Sequence, residues 1–159
     1  MKVAMFMVLL GVAPVLHAGA GGVVLVLRDD LIAPAVRVRT LNVYSDGVVT
    51  EEHYDISQGS TEKWPSNGTN QLGKLGPSEL ERINVYISSG FRRLPKIVNS
   101  EGPVRVDGPS QSICVTVQSK RTCSTWHDYT ETAKQRSAQE FRRDWQTLMQ
   151  LLQSAGVGA

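Results

Sequence analysis

The residues able to do chemistry in the stretch 21–159 are two cysteines and two widely separated histidines, and only the cysteines sit in a pattern that assigns them a role. Cys114 and Cys123 lie in the stretch SICVTVQSKRTCSTW, residues 112–126. Ile113, Val115 and Val117 there alternate with Ser112, Cys114 and Thr116, the period-two pattern of a strand with one apolar and one polar face. If Gln118 and Ser119 form the turn, Cys114 faces Cys123 in a non-hydrogen-bonded pair, where Cα atoms approach to about 4.5 Å, within disulfide range. Gln-Ser lacks the Gly or Asn that a tight hairpin favours, and a turn at Ser119-Lys120 would set Cys114 opposite Thr125 instead. Two buried free thiols are the competing reading. The polar neighbours Thr116 and Arg121 favour the bridge, since a buried Cys behaves as a small hydrophobe. Closing so short a ring is worth about 2.5–3 kcal/mol.

The histidines carry less. His127-Asp128 pairs a base with a carboxylate in sequence, but adjacent residues on an extended segment point apart, and no serine or free cysteine is marked as a nucleophile. His53 and His127 are far apart, and neither HExxH nor paired CxxC spacing occurs, so no metal-ligand set is expected. The expectation is therefore a non-enzymatic chain with no catalytic residue, metal or cofactor.

The N-terminus bears on whether a disulfide persists. Lys2 precedes the uncharged run Val3 to Leu16, and Ala18-Gly19-Ala20 follows, giving a basic n-region, an apolar h-region and a small-residue cleavage pattern. The run is interrupted by Gly11 and Pro14 and falls short of the roughly 20 residues that span a bilayer. We expect residues 1–20 to be a signal peptide, residues 21–159 a single α+β domain, and the mature protein periplasmic or secreted, off the membrane once the leader is cleaved. Two cysteines in an exported chain fit one bridge.

The cut leaves 139 residues with 16 basic and 15 acidic side chains, a net charge of +1. That is long enough for one core, and too balanced for a nucleic-acid binder, which needs a clustered cationic excess. The pairs Arg92-Arg93, Lys120-Arg121 and Arg142-Arg143 read as solvated strand ends or helix faces.

The elements follow in order. Val23 to Arg28 is an apolar run of strand length, and Val36 to Tyr44 is a second strand whose apolar parity changes between Val36/Val38 and Leu41/Val43, which predicts a bulge near Thr40. Asp46-Gly47 supplies a two-residue hairpin turn into a third strand, Val48 to Ile56. Gln58 to Lys74 reads as a long polar loop carrying Trp64 and the acceptor pattern Asn67-Gly68-Thr69 for N-glycosylation. Pro77 and Ser78 open a helix to about Ser89, in which Ser78 and Glu81 form a capping box, with Leu80, Ile83 and Ile87 on one face and Gly90 at its end. Phe91 and Leu94 are core plugs, Val104 to Val106 a short extended piece, and the cysteine hairpin follows. A second capping box, Ser137 with Glu140, opens a C-terminal helix whose stripe is Ala138, Phe141, Trp145, Leu148 and Leu152. Gly156 to Ala159 should fray. The expected fold is α+β: an antiparallel sheet of about five strands with two helices on one face, in the order β-β-β-α-β-β-α.

The succession of a hairpin around SDG, then LGPSELERI, FRRLP, a further hairpin and a terminal helix with Trp145 and Leu148 looks like that of small bacterial domains of unknown function. In outline it is similar to the emfourin-type inhibitors of secreted metalloproteases. The likeness covers most of residues 23–152, lies in the spacing of hydrophobic and turn residues, and transfers no inhibitory residue. It implies a monomeric binding module that meets another extracytoplasmic protein, such as a secreted hydrolase. The expected binding residues are Trp64 on its loop and Lys120 and Arg121 at the hairpin tip, where a rigid turn loses little entropy on binding. The alternatives are an envelope-assembly component acting through its sheet edge and a small secreted enzyme.

Overall fold

The computed structural model describes residues 21–31, 37–55, 68–98, 108–127 and 135–157. The leader, Trp64, Asn67, Val104 to Val106 and Asp128 lie outside them. The described chain is α+β, with seven strands in one mixed sheet: β1 (Val23–Leu31), β2 (Arg37–Tyr44), β3 (Val48–Asp55), β4 (Gly68–Lys74), β5 (Ile97–Val98), β6 (Ser110–Val117) and β7 (Lys120–His127). Their spatial order is β4-β3-β2-β1-β6-β7-β5, and every pair is antiparallel except β5 with β7. The helices are α1 (Pro77–Val85) and α2 (Arg136–Ser154).

Two strands depart from the sequence expectation. The end of the supposed Gln58-to-Lys74 loop is β4, paired with β3 from Val48↔Lys74 to His53↔Gly68. Its side chains are mostly exposed, so it lacks the apolar alternation by which a strand is recognised and is held by the ladder instead. The other addition, β5, is two residues long and parallel. The order is thus β-β-β-β-α-β-β-β-α.

Alternation divides the sheet into two faces. Leu25 and Leu27 of β1, Leu41 and Val43 of β2, Val49 of β3, Ile113 and Val115 of β6 and Trp126 of β7 form the inward face, all buried. Ile83 of α1 and Ala138, Phe141, Leu148, Leu151 and Leu152 of α2 close the core against it. Trp126 is its anchor: Phe141 meets it edge-on at 5.9 Å, and the Arg142 guanidinium stands 5.6 Å from its ring centre.

The bulge expected near Thr40 is absent, and β2 pairs in unbroken register with both neighbours across that position. The parity change instead means that Arg37 and Arg39 share the inward face with Leu41 and Val43, because Arg39 finds an acidic partner there. Register shifts occur between Val23 and Leu25 and between Val49 and Thr50.

The β2–β3 turn has three residues, Ser45 to Gly47, rather than two. Only Gly47 takes a positive φ, +86°, and a Cβ there would lie 2.8 Å from the Leu75 carbonyl oxygen. Neither capping box forms. Pro77 takes the first turn of α1, which makes Gly76 the N-cap, and Glu79, not Glu81, reaches back over it. Hydrogen bonds from the Glu79 N–H and then the Ser78 hydroxyl hold that carboxyl below the usual range. At α2 the N-cap is Gln135, and Glu140 accepts from Arg136 Nε at 2.9 Å. Gly90 does not end its helix: α1 widens into a π turn, Tyr86–Gly90, and a 3-10 turn, Phe91–Arg93, and ends at Leu94. Leu94 precedes Pro95, which disfavours helical backbone. Gly90 is needed because the Tyr86 ring lies where a Cβ would go, 2.8 Å away.

The C-terminal turn is likewise ordered through Val157. Gly156 at φ +74° donates to the Gln153 carbonyl and Val157 to that of Leu152, a Schellman closure that buries Val157.

Candidate functional site

The β6–β7 hairpin has the register in which Gln118 and Ser119 are the turn: Val117↔Lys120, Thr116↔Arg121, Val115↔Thr122 and Cys114↔Cys123. Both turn residues have positive φ, 49° and 64°, as a two-residue hairpin of matching twist demands. The alternative register with Cys114 opposite Thr125 is thereby excluded, since Thr125 pairs with Ser112. The cysteine sulfurs stand at disulfide distance, 2.11 Å, with Cα atoms 4.0 Å apart. The bridge lies on the outer face with Thr116 and Arg121, as the parity predicts.

Lys120 and Arg121 are both exposed, but they do not form one patch. Lys120 shares the inward-facing side of the hairpin with Val117, whereas Arg121 points to the disulfide side. Trp64, the third expected binding residue, lies outside the described residues.

The inward side of the hairpin runs past the cover of the helices, and a groove of about 390 Å³ opens there. Val115, Val117 and Thr122 form its sheet wall, and Ile87, Phe91 and Leu94 of the turns after α1 form the opposite wall. Among the described residues, Arg92 and Lys96 are its charged lining and no carboxylate lines it. Sequence reasoning passed over these residues, assigning Phe91 and Leu94 to the core and Arg92 to a solvated pair. Phe91 is indeed buried, but Leu94 is only half-buried and Val117 is 46% exposed. The available signal was Val117 itself, an apolar inward position continuing to the hairpin tip beyond any residue able to cover it.

A second polar cluster stands at the other end of the inward face. Glu51 of β3 accepts from Arg39 Nε at 2.5 Å and contacts His53 Nε2 at 2.7 Å. Burial pushes the Glu51 carboxyl up, but the hydrogen bonds from His53 and Arg39 and their charges outweigh it and hold the group below the usual carboxylate range. Arg39 also borders a small cavity of about 70 Å³ with Asp29, Leu27, Leu41, Trp145 and Met149. The cluster is a charge-compensated seam between sheet and α2. A further tie joins the helices, Tyr86 donating to Asp144 at 3.2 Å. Burial, then the Asp144 charge, pushes the phenol up, and burial raises Asp144 against the lowering effect of that same hydrogen bond.

His53 and His127 stand on opposite faces and four strand intervals apart in the sheet, about 19 Å at the usual strand spacing. Among the described residues no three His, Cys, Asp or Glu side chains are grouped to hold a metal ion. Compared with protein-family models and with curated protein sequences, the chain matches none.

Proposed function

We propose that this chain is an exported, non-enzymatic binding module that inhibits a secreted hydrolase by seating part of it at the β6–β7 hairpin and the adjoining groove. The observation that carries the reading is the groove: an apolar cleft with two cationic side chains and no carboxylate among the described residues of its lining, beside a cross-linked hairpin. Its volume of about 390 Å³ falls within the range of ligand-receiving clefts. A wall fixed by a disulfide and a continuous sheet gives up little conformational freedom on binding, so a modest patch yields useful affinity. The compartment fits as well, because the leader pattern and the cysteine pair both suit an oxidising space. Among the described residues no helix is long and apolar enough to cross a membrane.

The test is stoichiometric inhibition. Purified protein added to the secreted proteases of its own source should abolish cleavage of a general protein substrate at about one inhibitor per enzyme and co-elute with the enzyme in gel filtration. Undiminished proteolysis with no complex would sink the inhibitor reading.

A second reading, envelope assembly through a sheet edge, is favoured by β4, a seven-residue edge strand with mostly exposed side chains. It predicts self-association or filament growth where the inhibitor reading predicts a monomer, and sedimentation separates them.

A further inference from the structure

Among the described residues, the sheet beside the groove has an edge that β5 covers only in part. Parallel strand β5 begins only at Ile97, opposite Thr125, and covers β7 at Thr125 and Trp126. The chain just before it is already leaving the edge: Thr125 donates to the Lys96 carbonyl, and the Ser124 hydroxyl to that of Pro95. From Lys120 to Cys123 no strand lies beside β7 among the described residues.

The hairpin register fixes which backbone groups face that edge. With Val117 and Lys120 closing the two-residue turn, hydrogen-bonded and non-hydrogen-bonded pairs alternate outward. Lys120, Thr122 and Ser124 therefore direct their N–H and C=O groups to β6, and Arg121 and Cys123 direct theirs away from it. The bond from Thr125 to Lys96 has the same parity and the same direction. Thr122, between Arg121 and Cys123, lines the groove, as does Lys96 at the point where β5 stops.

We propose, resting on the binding reading above, that the groove takes an extended acidic segment of a partner protein, which continues the line of β5 by pairing with the backbone of Arg121 and Cys123. One apolar side chain of that segment fills the cleft between Val117 and Leu94. Carboxylates two residues away on the same face, about 7 Å along a strand, meet Arg92, Lys96 and Lys120. Strand addition supplies affinity through the main chain and specificity through the pocket for alternate side chains. The two cations of the lining, Arg92 and Lys96, with no carboxylate beside them among the described residues, set the preference for an acidic partner. The disulfide at Cys123 holds the receiving edge in shape.

The probe is a blocked hexapeptide, Glu-Thr-Leu-Thr-Glu-Thr, titrated into the full chain and followed by amide and methyl NMR. Saturable shifts are expected at Arg121 to Cys123 and at the methyl groups of Val115, Val117 and Leu94. Replacing both glutamates with lysine, or N-methylating alternate amides, should each weaken binding about tenfold or more. Val117→Asp, at an exposed position that leaves the rest of the spectrum unchanged, should abolish the shifts. Arg92→Glu with Lys96→Glu should reverse the preference between glutamate and lysine peptides. No shifts at the edge with the peptide near about 1 mM, or equal binding by the N-methylated form, overturns the proposal. So does saturation of the groove by dodecanoate with the peptide silent, which would make the ligand an anionic amphiphile. The two readings fail separately: inhibition that survives Val117→Asp refutes the groove but not the inhibitor, whereas peptide binding without inhibition refutes the inhibitor but not the groove.

Discussion

Glu51 is the residue whose chemistry was least visible in the sequence, and it joins two ion pairs on the inward face. It stands on the inward face between Arg39 and His53, only 11% of its side chain exposed, and its carboxyl is held below the usual range. A group depressed in the folded state contributes stability above its unfolded pKa and loses it as pH falls through the folded one. Glu51→Gln keeps the shape and removes the charge, and hydrogen bonds to a charged group contribute about 1.5–3 kcal/mol. Urea unfolding at pH 7 should show a loss of that order. The gap between wild type and variant should then shrink as pH drops below the ordinary carboxylate value of 4.5. A gap that does not change between pH 7 and about pH 3 would mean that the ion pairs are not what the substitution removed. In sequence Glu51 is one of two adjacent glutamates, Glu51 and Glu52, and only strand parity in the folded sheet says which faces inward.

Among elements, the β6–β7 hairpin combines a cross-link with a turn of unfavourable composition. Gln118 and Ser119 both occupy the left-handed region, which costs an ordinary L-residue about 1–2 kcal/mol. The bridge constrains the same hairpin in the unfolded chain, so its removal and the relief of the turn should move stability in opposite directions. Replacing Cys114 and Cys123 together with serine should lower unfolding free energy by about 1–3 kcal/mol while circular dichroism stays the same. Ser119→Gly should raise it by about 0.5–1 kcal/mol, the left-handed penalty less the added freedom of the unfolded chain. Thiol titration of native oxidised protein that counts two free cysteines would contradict the bridge.

For the whole molecule, the export proposal makes the most direct prediction. If residues 1–20 are a cleaved leader, intact-mass measurement of protein recovered from the extracytoplasmic fraction should give a chain that begins near Gly21 and is 2 Da lighter than its fully reduced mass, the two hydrogens lost on bridging. Full-length chain recovered from the cytoplasm with both thiols reduced would overturn it. A lasting Cys114–Cys123 cross-link is compatible with an oxidising compartment.

By itself the sequence determined the features that depend on local pattern: a hairpin holding both cysteines, the apolar stripe of α2, the inward positions of α1, and an α+β class with both helices on one sheet face, while the folded register chose between the two possible turns. These are read from periodicity, because burial of one face imposes a period of two on strands and nearly four on helices. Folding alone decided β4 and β5, since an exposed edge strand and a two-residue parallel strand carry no apolar alternation and exist through their neighbours' backbone groups. It also decided the helix caps, where Gly76 and Gln135 stand in place of the two capping boxes, although α1 begins at Pro77 as its sequence predicts. The groove belongs to the tertiary structure for the same reason. Its walls come from the turns after α1 and from a hairpin more than twenty residues later, and whether Val117 and Leu94 meet solvent or each other is settled by where the helices stop covering the sheet.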